Sequence, residues 1–206
     1  MAHIPDGVLS APVLVTGGIV SAGLLAVALR RLDNAHIPQA AVLAAAFFVA
    51  SLITVPVGPS SVHLILNGPM GLLLGWTAVP ALLVALLLQA VFFGYGGILV
   101  LGVNTMNLAL PALLCAALFR SAIPHSGPRR MFWIGAAAGA LGVLVTGTLV
   151  AVSLAASGRE LLPAAKVILL AYLPLAFVEA AISAAAVGFI QRVAPELMLH
   201  TETRDG

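Results

Sequence analysis

Long apolar stretches alternate with short polar breaks along almost the whole chain. A helix needs about 20 mostly apolar residues to cross the hydrocarbon core of a bilayer, and most of the stretches approach that length. The breaks contain prolines, glycines and arginines, which end or turn helices. The pattern predicts an all-α integral membrane protein with about seven transmembrane helices. The predicted spans are 8–29, 40–55, 63–76, 81–101, 108–119, 131–156 and 167–190.

The third stretch is short, and Pro56, Gly58 and Pro59 precede it. Proline removes a backbone donor and glycine frees the backbone, so both interrupt a regular helix. The segment 56–80 is therefore open to a second interpretation, in which it forms a broken or re-entrant element instead of a full span.

Composition narrows the possible functions. Of the 206 residues, 62% are hydrophobic and 8% are charged, whereas soluble domains carry about 25% charged residues. We expect a single transmembrane domain over 1–206, with no separate module for nucleic acid or nucleotide hydrolysis and no phosphate-binding G-x-x-x-x-G-K-[ST] motif. The one cysteine, Cys115, excludes a disulfide within the chain and a cysteine-based metal cluster.

Basic residues set the predicted orientation, because cytoplasmic loops carry an excess of Lys and Arg. An outer amino terminus and seven spans leave only Arg159 and Lys166 outside among the nine basic residues. The predicted cytoplasmic residues are Arg30, Arg31, Arg120, Arg129, Arg130, Arg192 and Arg204. The carboxyl terminus is then cytoplasmic, and the amino terminus shares the outer face with the loop before His63.

The first seven residues form a candidate metal-chelating head, in which a Pro-Asp-Gly turn at 5–7 folds the chain back over the membrane. If Met1 is removed, the head supplies three nitrogen donors: the Ala2 amine and the backbone and imidazole nitrogens of His3. If Met1 is retained, its amine, the backbone nitrogens of Ala2 and His3, and the His3 imidazole supply four.

Square-planar nitrogen coordination is typical of Ni(II) or Cu(II), whereas zinc prefers a tetrahedron and magnesium or calcium prefers oxygen. A backbone amide gives up its proton only to a metal with strong in-plane ligand-field stabilisation that a neighbouring amine already anchors. Metal binding should therefore release protons. The alternative for His3, considered alone, is an accidental histidine near a terminus.

A second histidine, His63, stands at the outer end of the third predicted span. An ionisable residue at membrane depth is a functional candidate, and His63 would complete the square if Met1 is absent. Asn67 and Met70 follow at i+4 and i+7 on the same helix face. The alternatives are that His63 bonds a neighbouring helix, that Asn67 joins helices by hydrogen bonds, and that Met70 packs and does not ligate axially.

Four further polar residues lie in apolar surroundings, where unpaired polar groups are costly. They are Gln89, Asn104, Asn107 and Glu179. Gln89 and the pair Asn104 and Asn107, with Asn67, are candidates to orient His63 through its second ring nitrogen, and an equal alternative is that these amides join helices. Asn104 and Asn107 are placed after the fourth span. Glu179, deep in the last span, either pairs with an amide or contacts a partner.

Three ordered motifs resemble the CbiM/NikM family, the substrate-binding membrane subunits of energy-coupling-factor transporters for nickel or cobalt. They are His-Ile-Pro-Asp-Gly at 3–7, the segment 61–71, and Phe-Gly-Tyr-Gly-Gly running to Gly-Val-Asn-Thr at 93–105. The resemblance implies a metal site formed by the terminal amine, His3 and His63. The family pattern usually has His directly after the initiator Met, so removal of Met1 before Ala2 would restore the family register.

The resemblance also implies a bacterial or archaeal cell-membrane protein that captures Ni(II) or Co(II) from outside for ATP-driven uptake. The implied partners are a transmembrane coupling component, two cytoplasmic ATPases and a small auxiliary membrane subunit. We expect no enzyme activity and no cofactor beyond the transported ion. Square-planar coordination favours nickel, and cobalt is the alternative.

Two other classes of function fit the sequence less well. A secondary metal transporter without ATPases usually shows internal repeats and intramembrane acidic residues. Glu179 alone is weak evidence for this class of transporter. An intramembrane metalloenzyme needs an open metal position and a general base, and the sequence has neither an H-E-x-x-H motif nor paired carboxylates.

Overall fold

The computed structural model describes residues 4–57 and 60–198, which form a bundle of α-helices and one short β-hairpin. The helices are α1 (Ala11–Arg30), α2 (Ile37–Ala50), α3 (Asn67–Leu74), α4 (Ala78–Phe93), α5 (Leu101–Phe119), α6 (Pro128–Ser157) and α7 (Leu162–Val193). The hairpin follows α2, and its antiparallel strands are β1 (Thr54–Val57) and β2 (Ser60–His63). Thr54 pairs with His63 in this hairpin. The predominantly helical architecture agrees with the sequence prediction.

Five helical units in the described ranges are long and apolar enough to cross a bilayer. They are Ala11–Arg30, Asn67–Phe93, Leu101–His125, Pro128–Ser157 and Arg159–Val193. A shorter apolar helix covers Asn34–Ala50. The membrane-protein class is thus confirmed, whereas the count of seven spans is not. Which face lies outside stays a prediction.

The predicted third span, 63–76, requires a correction. α3 has eight residues, which extend about 12 Å, less than half of a hydrocarbon core about 30 Å thick. All of its residues are buried, and a 3-10 turn at Gly75–Thr77 joins it to α4. β1 occupies the end of the predicted second span. The structure therefore supports the broken-element interpretation of segment 56–80.

α3 packs between α5 and α6 at backbone contact distance. A Cβ on Gly71 would overlap the Ala112 carbonyl of α5, and a Cβ on Gly68 would overlap the Ala138 carbonyl of α6. Glycine at these two positions removes the side chains that would separate the helices. A fully buried short helix can therefore lie between two long ones.

The carboxyl end of α3 lies against two of the arginines predicted to be cytoplasmic. Gly75 has a φ of 55°, and a Cβ there would overlap the Arg120 guanidinium. The Arg31 guanidinium lies 4.8 Å from the centroid of the Trp76 ring, within cation–π range. α3 therefore runs from the end of the fold that holds His63 to the end that holds these arginines.

α5 begins at Leu101, earlier than the predicted start near residue 108. Asn104 and Asn107 therefore lie inside a helix and not in the connection after the fourth span. α4 ends at Phe93, because Gly94 takes a left-handed conformation with a φ of 66°. Both asparagines are buried in α5. Asn104 hydrogen-bonds to Ile4, and Asn107 accepts a hydrogen bond from Ser153 of α6.

Candidate metal site

Ile4, the first residue that the structure describes, is held by one side chain of α5. Its backbone N–H donates to Asn104 Oδ1 at 3.2 Å, and its carbonyl accepts from Asn104 Nδ2 at 3.1 Å. Met1, Ala2 and His3 lie outside the described residues. Because His3 is bonded to Ile4, this pair of hydrogen bonds fixes the residue of the predicted chelating head that directly follows its donor residues.

Asp6 attaches the same segment to the start of α5 by a separate contact. Its Oδ1 accepts the Val100 N–H at 3.0 Å, and its own N–H donates to the Gly96 carbonyl at 3.4 Å. A carboxylate at a helix amino terminus satisfies an exposed N–H and is favoured by the helix dipole. A Cβ on Gly97 would overlap this carboxyl group. The predicted turn is present, with Gly7 at a φ of 83°.

His63 is the last residue of β2 and is 3% exposed. Its Nδ1 lies 2.8 Å from the carbonyl oxygen of Leu64. A carbonyl oxygen only accepts, so Nδ1 carries the proton and Nε2 has the lone pair that a metal requires. Burial lowers the pKa of the imidazole below its ordinary value. The ring is therefore neutral at pH 7, which is the form that coordinates a metal.

Asn67, the first residue of α3, joins that helix to both of its neighbours. Its Nδ2 donates to the Leu108 carbonyl of α5 at 3.1 Å and to Thr146 Oγ1 of α6 at 2.8 Å. Its side chain is fully buried. These contacts match the alternative in which Asn67 joins helices by hydrogen bonds.

The two segments predicted to carry the metal ligands are bound to one face of α5. Asn104 holds Ile4, and Leu108, four positions later, holds Asn67. Residues at i and i+4 share a helix face one turn apart. Ile4, which follows His3, and Asn67, the first residue of the helix after His63, are thus fixed to adjacent turns of α5.

Gln89 and Met70 have partners that explain them without a metal. Gln89 Nε2 donates to Ser51 Oγ at 2.7 Å, which joins α4 to the residue after α2. Met70 is 3% exposed and belongs to the main hydrophobic cluster. The Gln89 contact matches the alternative in which the buried amides join helices. The Met70 contacts match the alternative in which Met70 packs and does not ligate a metal.

Glu179 pairs with backbone amide groups, which corresponds to the first of its two alternatives, although the sequence did not identify which amides. It is fully buried in α7, and its carboxylate accepts the N–H groups of Ile65 and Leu66 between β2 and α3. The Leu66 nitrogen lies 3.2 and 3.1 Å from the two carboxylate oxygens. Leu66 has a φ of 49° and is the one non-glycine residue with positive φ in the described chain. Such a conformation costs about 1–3 kcal/mol and persists when its surroundings hold it.

Among the described residues, His63 supplies a buried neutral imidazole. Ile4 and Asp6 anchor the amino-terminal segment to α5. Imidazole nitrogen suits nickel, copper and zinc. Within residues 4–57 and 60–198, no group of three or more His, Cys, Asp or Glu side chains is placed to hold a metal ion. The candidate donors other than His63 belong to the three residues before Ile4.

Comparisons with known proteins agree on the class of function. The family model CbiM, described as the cobalt uptake substrate-specific transmembrane region, matches residues 3–197. A protein of Haemophilus influenzae named for metal transport is 42% identical over 202 residues, which cover 97% of this chain and 98% of that protein. The fused nickel transport protein NikMN of Rhodobacter capsulatus is 40% identical over 121 residues, or 56% of this chain and 35% of that protein.

A solved crystal structure of a transition metal transporter has a similar fold. The two superpose with a TM-score of 0.79 and 27% identity over 93% of each chain. Family, relatives, fold and apolar helices describe a multi-pass cell-membrane component of nickel or cobalt uptake. The chain belongs to the CbiM family.

Proposed function

We propose that this chain is the substrate-specific subunit that captures Ni(II) from outside the cell, with Co(II) as the alternative ion. The proposed ligands are the terminal amine, the backbone and imidazole nitrogens of His3, and His63. The pair of anchors on α5 carries the proposal, because Asn104 and the Leu108 carbonyl bind the two segments next to these ligands. In this proposal, 1–206 is a single metal-binding transmembrane domain with a chelating head at 1–7.

Two donor sets are compatible with the sequence. Without Met1, the head supplies three nitrogens and His63 supplies the fourth. With Met1, the head supplies four nitrogens and His63 is not needed in the plane. We favour the first set, because Ala2 is small enough for Met1 to be removed and because a buried histidine is costly to keep without a function.

Equilibrium binding to the purified full chain tests this function. We expect saturable one-to-one binding of Ni(II), with release of protons as the amide and imidazole groups coordinate. Co(II) measured in the same way identifies the preferred ion. Absence of high-affinity binding of either ion would contradict the proposal.

Loss of the Asn104 amide should weaken nickel binding without removing any metal ligand. Asn104→Ala deletes both hydrogen bonds to Ile4, and such bonds contribute about 1 kcal/mol each. Affinity should then fall about 30-fold, since 1.4 kcal/mol corresponds to tenfold. Nickel titration of the purified variant measures the loss.

Asn107→Ala is the matched control, because Asn107 is buried one turn away on α5 and accepts from Ser153. We expect this variant to bind nickel as the parent does. Equal affinities of the Asn104 and Asn107 variants would show that fixing Ile4 does not contribute to the site.

We further propose that uptake is driven by ATP through a transmembrane coupling component, two cytoplasmic ATPases and a small auxiliary membrane subunit. The name of the Rhodobacter capsulatus relative describes a fused transport protein, which supports an assembly with other membrane components. The sequence has no phosphate-binding loop, and such a loop is what holds the nucleotide in ATPases of this kind.

The chain purified alone should bind nickel in the absence of ATP and should hydrolyse no ATP. In membrane vesicles, sustained uptake should require the coupling and ATPase subunits and should stop when the ATPases are inactivated. Phosphate release and radioactive nickel uptake measure the two quantities. Uptake that continues with inactive ATPases would favour a secondary transporter instead.

A further inference from the structure

Glu179 lies far from the head in sequence but binds the turn that follows His63. Its carboxyl group is fully buried in α7, where a polar group requires hydrogen-bond partners. The donors are the N–H groups of Ile65 and Leu66. A residue of the last helix therefore holds the short link between β2 and α3.

The peptide unit between Leu64 and Ile65 connects Glu179 to the His63 ring. Its N–H, on Ile65, donates to Glu179, while its carbonyl oxygen, on Leu64, accepts from His63 Nδ1 at 2.8 Å. One rigid plane thus has the carboxylate at one edge and the imidazole at the other. A hydrogen bond accepted from the N–H edge polarises the peptide and strengthens the hydrogen bond at its carbonyl edge.

The same carboxylate stabilises the turn itself. Leu66 precedes α3 with a left-handed backbone, and no side chain caps that helix. Glycine adopts this conformation readily and leucine does not. The hydrogen bonds from the Leu66 N–H to both carboxylate oxygens hold it there. The direction of the Leu64–Ile65 peptide, and with it the direction of the His63 ring, therefore depends on Glu179.

We propose that Glu179 is a positioning residue of the metal site, which acts on His63 through the Leu64–Ile65 peptide. It keeps the proton on His63 Nδ1, so that Nε2 faces the metal with its lone pair, and it fixes the angle of the ring. This inference rests on the proposed function, in which His63 supplies one nitrogen ligand. A carboxylate that orients a metal-binding histidine directly is a common arrangement, and here one peptide unit stands between the two.

The test is a double-mutant cycle on the purified full chain, with nickel titration as the readout. Glu179→Gln keeps the shape of the side chain but replaces one of the two oxygens near the Leu66 N–H with an amide NH2 group. We expect nickel affinity to fall about 10- to 100-fold, the usual effect of losing a group that orients a metal ligand. In the His63→Ala background, the same change should cause no further loss.

Ser183→Ala is the matched control for a polar deletion in α7. Ser183 lies one turn from Glu179, is fully buried, and its hydroxyl has no hydrogen-bond partner among the described residues. We expect this variant to bind nickel like the parent. A thermal melt of each metal-free variant separates a loss of folding from a loss of orientation.

A spectroscopic readout addresses the histidine itself. In protein labelled with ¹⁵N-histidine, the metal-free parent should show His63 as the Nδ1–H tautomer, and Glu179→Gln should show a mixture of tautomers. If Glu179→Gln does not fold, Glu179→Asp replaces it in both measurements. Aspartate keeps the carboxyl group but is one methylene shorter, so we expect the same direction of change.

The outcomes separate this inference from the function on which it rests. If His63→Ala weakens binding while Glu179→Gln does not, the inference is wrong and the proposed site stands. If Glu179→Gln weakens binding equally with and without His63, its effect does not pass through that ring and the inference is wrong. If His63→Ala leaves the affinity unchanged, both the ligand assignment and the role of Glu179 are wrong.

Discussion

An extension at the amino terminus should abolish high-affinity nickel binding and leave the fold intact. Extra residues convert the terminal amine into an amide, so the anchor that allows the next backbone nitrogen to deprotonate is lost. We expect affinity to fall at least about 1,000-fold, or about 4 kcal/mol. Nickel titration of the purified extended protein measures the loss.

The fold should survive because the described contacts of this segment begin at Ile4. Asn104 and Val100 bind Ile4 and Asp6 through groups that an extension does not alter. The control carries the same extension after Gly206 and should bind nickel as the unextended chain does. Equal nickel affinity of the two extended proteins would show that the terminal amine is not a ligand.

The second large effect should come from His63→Ala, and its size depends on whether Met1 is present. Without Met1, the variant leaves three nitrogens in the plane, and we expect affinity to fall about 100-fold or more, or about 3 kcal/mol. With Met1, the head already supplies four nitrogens and the loss should be small. Intact mass of the purified protein identifies the terminus, and nickel titration measures the loss.

His125→Ala is the matched control, since His125 is an exposed histidine in the 3-10 turn after α5. We expect it to leave nickel binding unchanged. A protein that lacks Met1 and whose His63→Ala variant binds nickel as tightly as the parent would show that the fourth ligand is assigned wrongly.

The class of the protein was predictable, whereas the shape of its third apolar segment was not. Hydropathy reports only that a segment avoids water, and α3 avoids water by burial among α5 and α6. A fully buried half-length helix and a membrane span therefore give the same apolar pattern. Pro56, Gly58 and Pro59 marked the interruption in the sequence, and among the described residues Pro56 lies in strand β1.

The candidate site was predictable in its residue types but not in its connections. Asn104, Gln89 and Glu179 were identified because polar groups in apolar helices require partners. Two of these three side chains bind backbone groups: Asn104 holds Ile4, and Glu179 holds the link after His63. Backbone donors carry no sequence signal, so these partners could be found only from the fold.

The start of α5 was also predicted wrongly, because the sequence does not show which partners its polar residues have. Polar residues at 104, 105 and 107 lower the local hydropathy, and the predicted span therefore began too late. In the structure these positions form buried turns of α5, because Asn104 pairs with Ile4 and Asn107 accepts from Ser153. One of the polar residues that obscured the helix, Asn104, is the residue that attaches Ile4 to it.

X-ray absorption at the nickel edge of the metal-loaded full chain distinguishes the proposed coordination from its alternatives. We expect Ni(II) in a square plane of four nitrogen donors, with the pre-edge feature of planar coordination and no sulfur scatterer, since Met70 packs in the core. The spectrum should change when the amino terminus is extended. Six-coordinate nickel with oxygen ligands, or a sulfur ligand in the first coordination sphere, would contradict the proposed site.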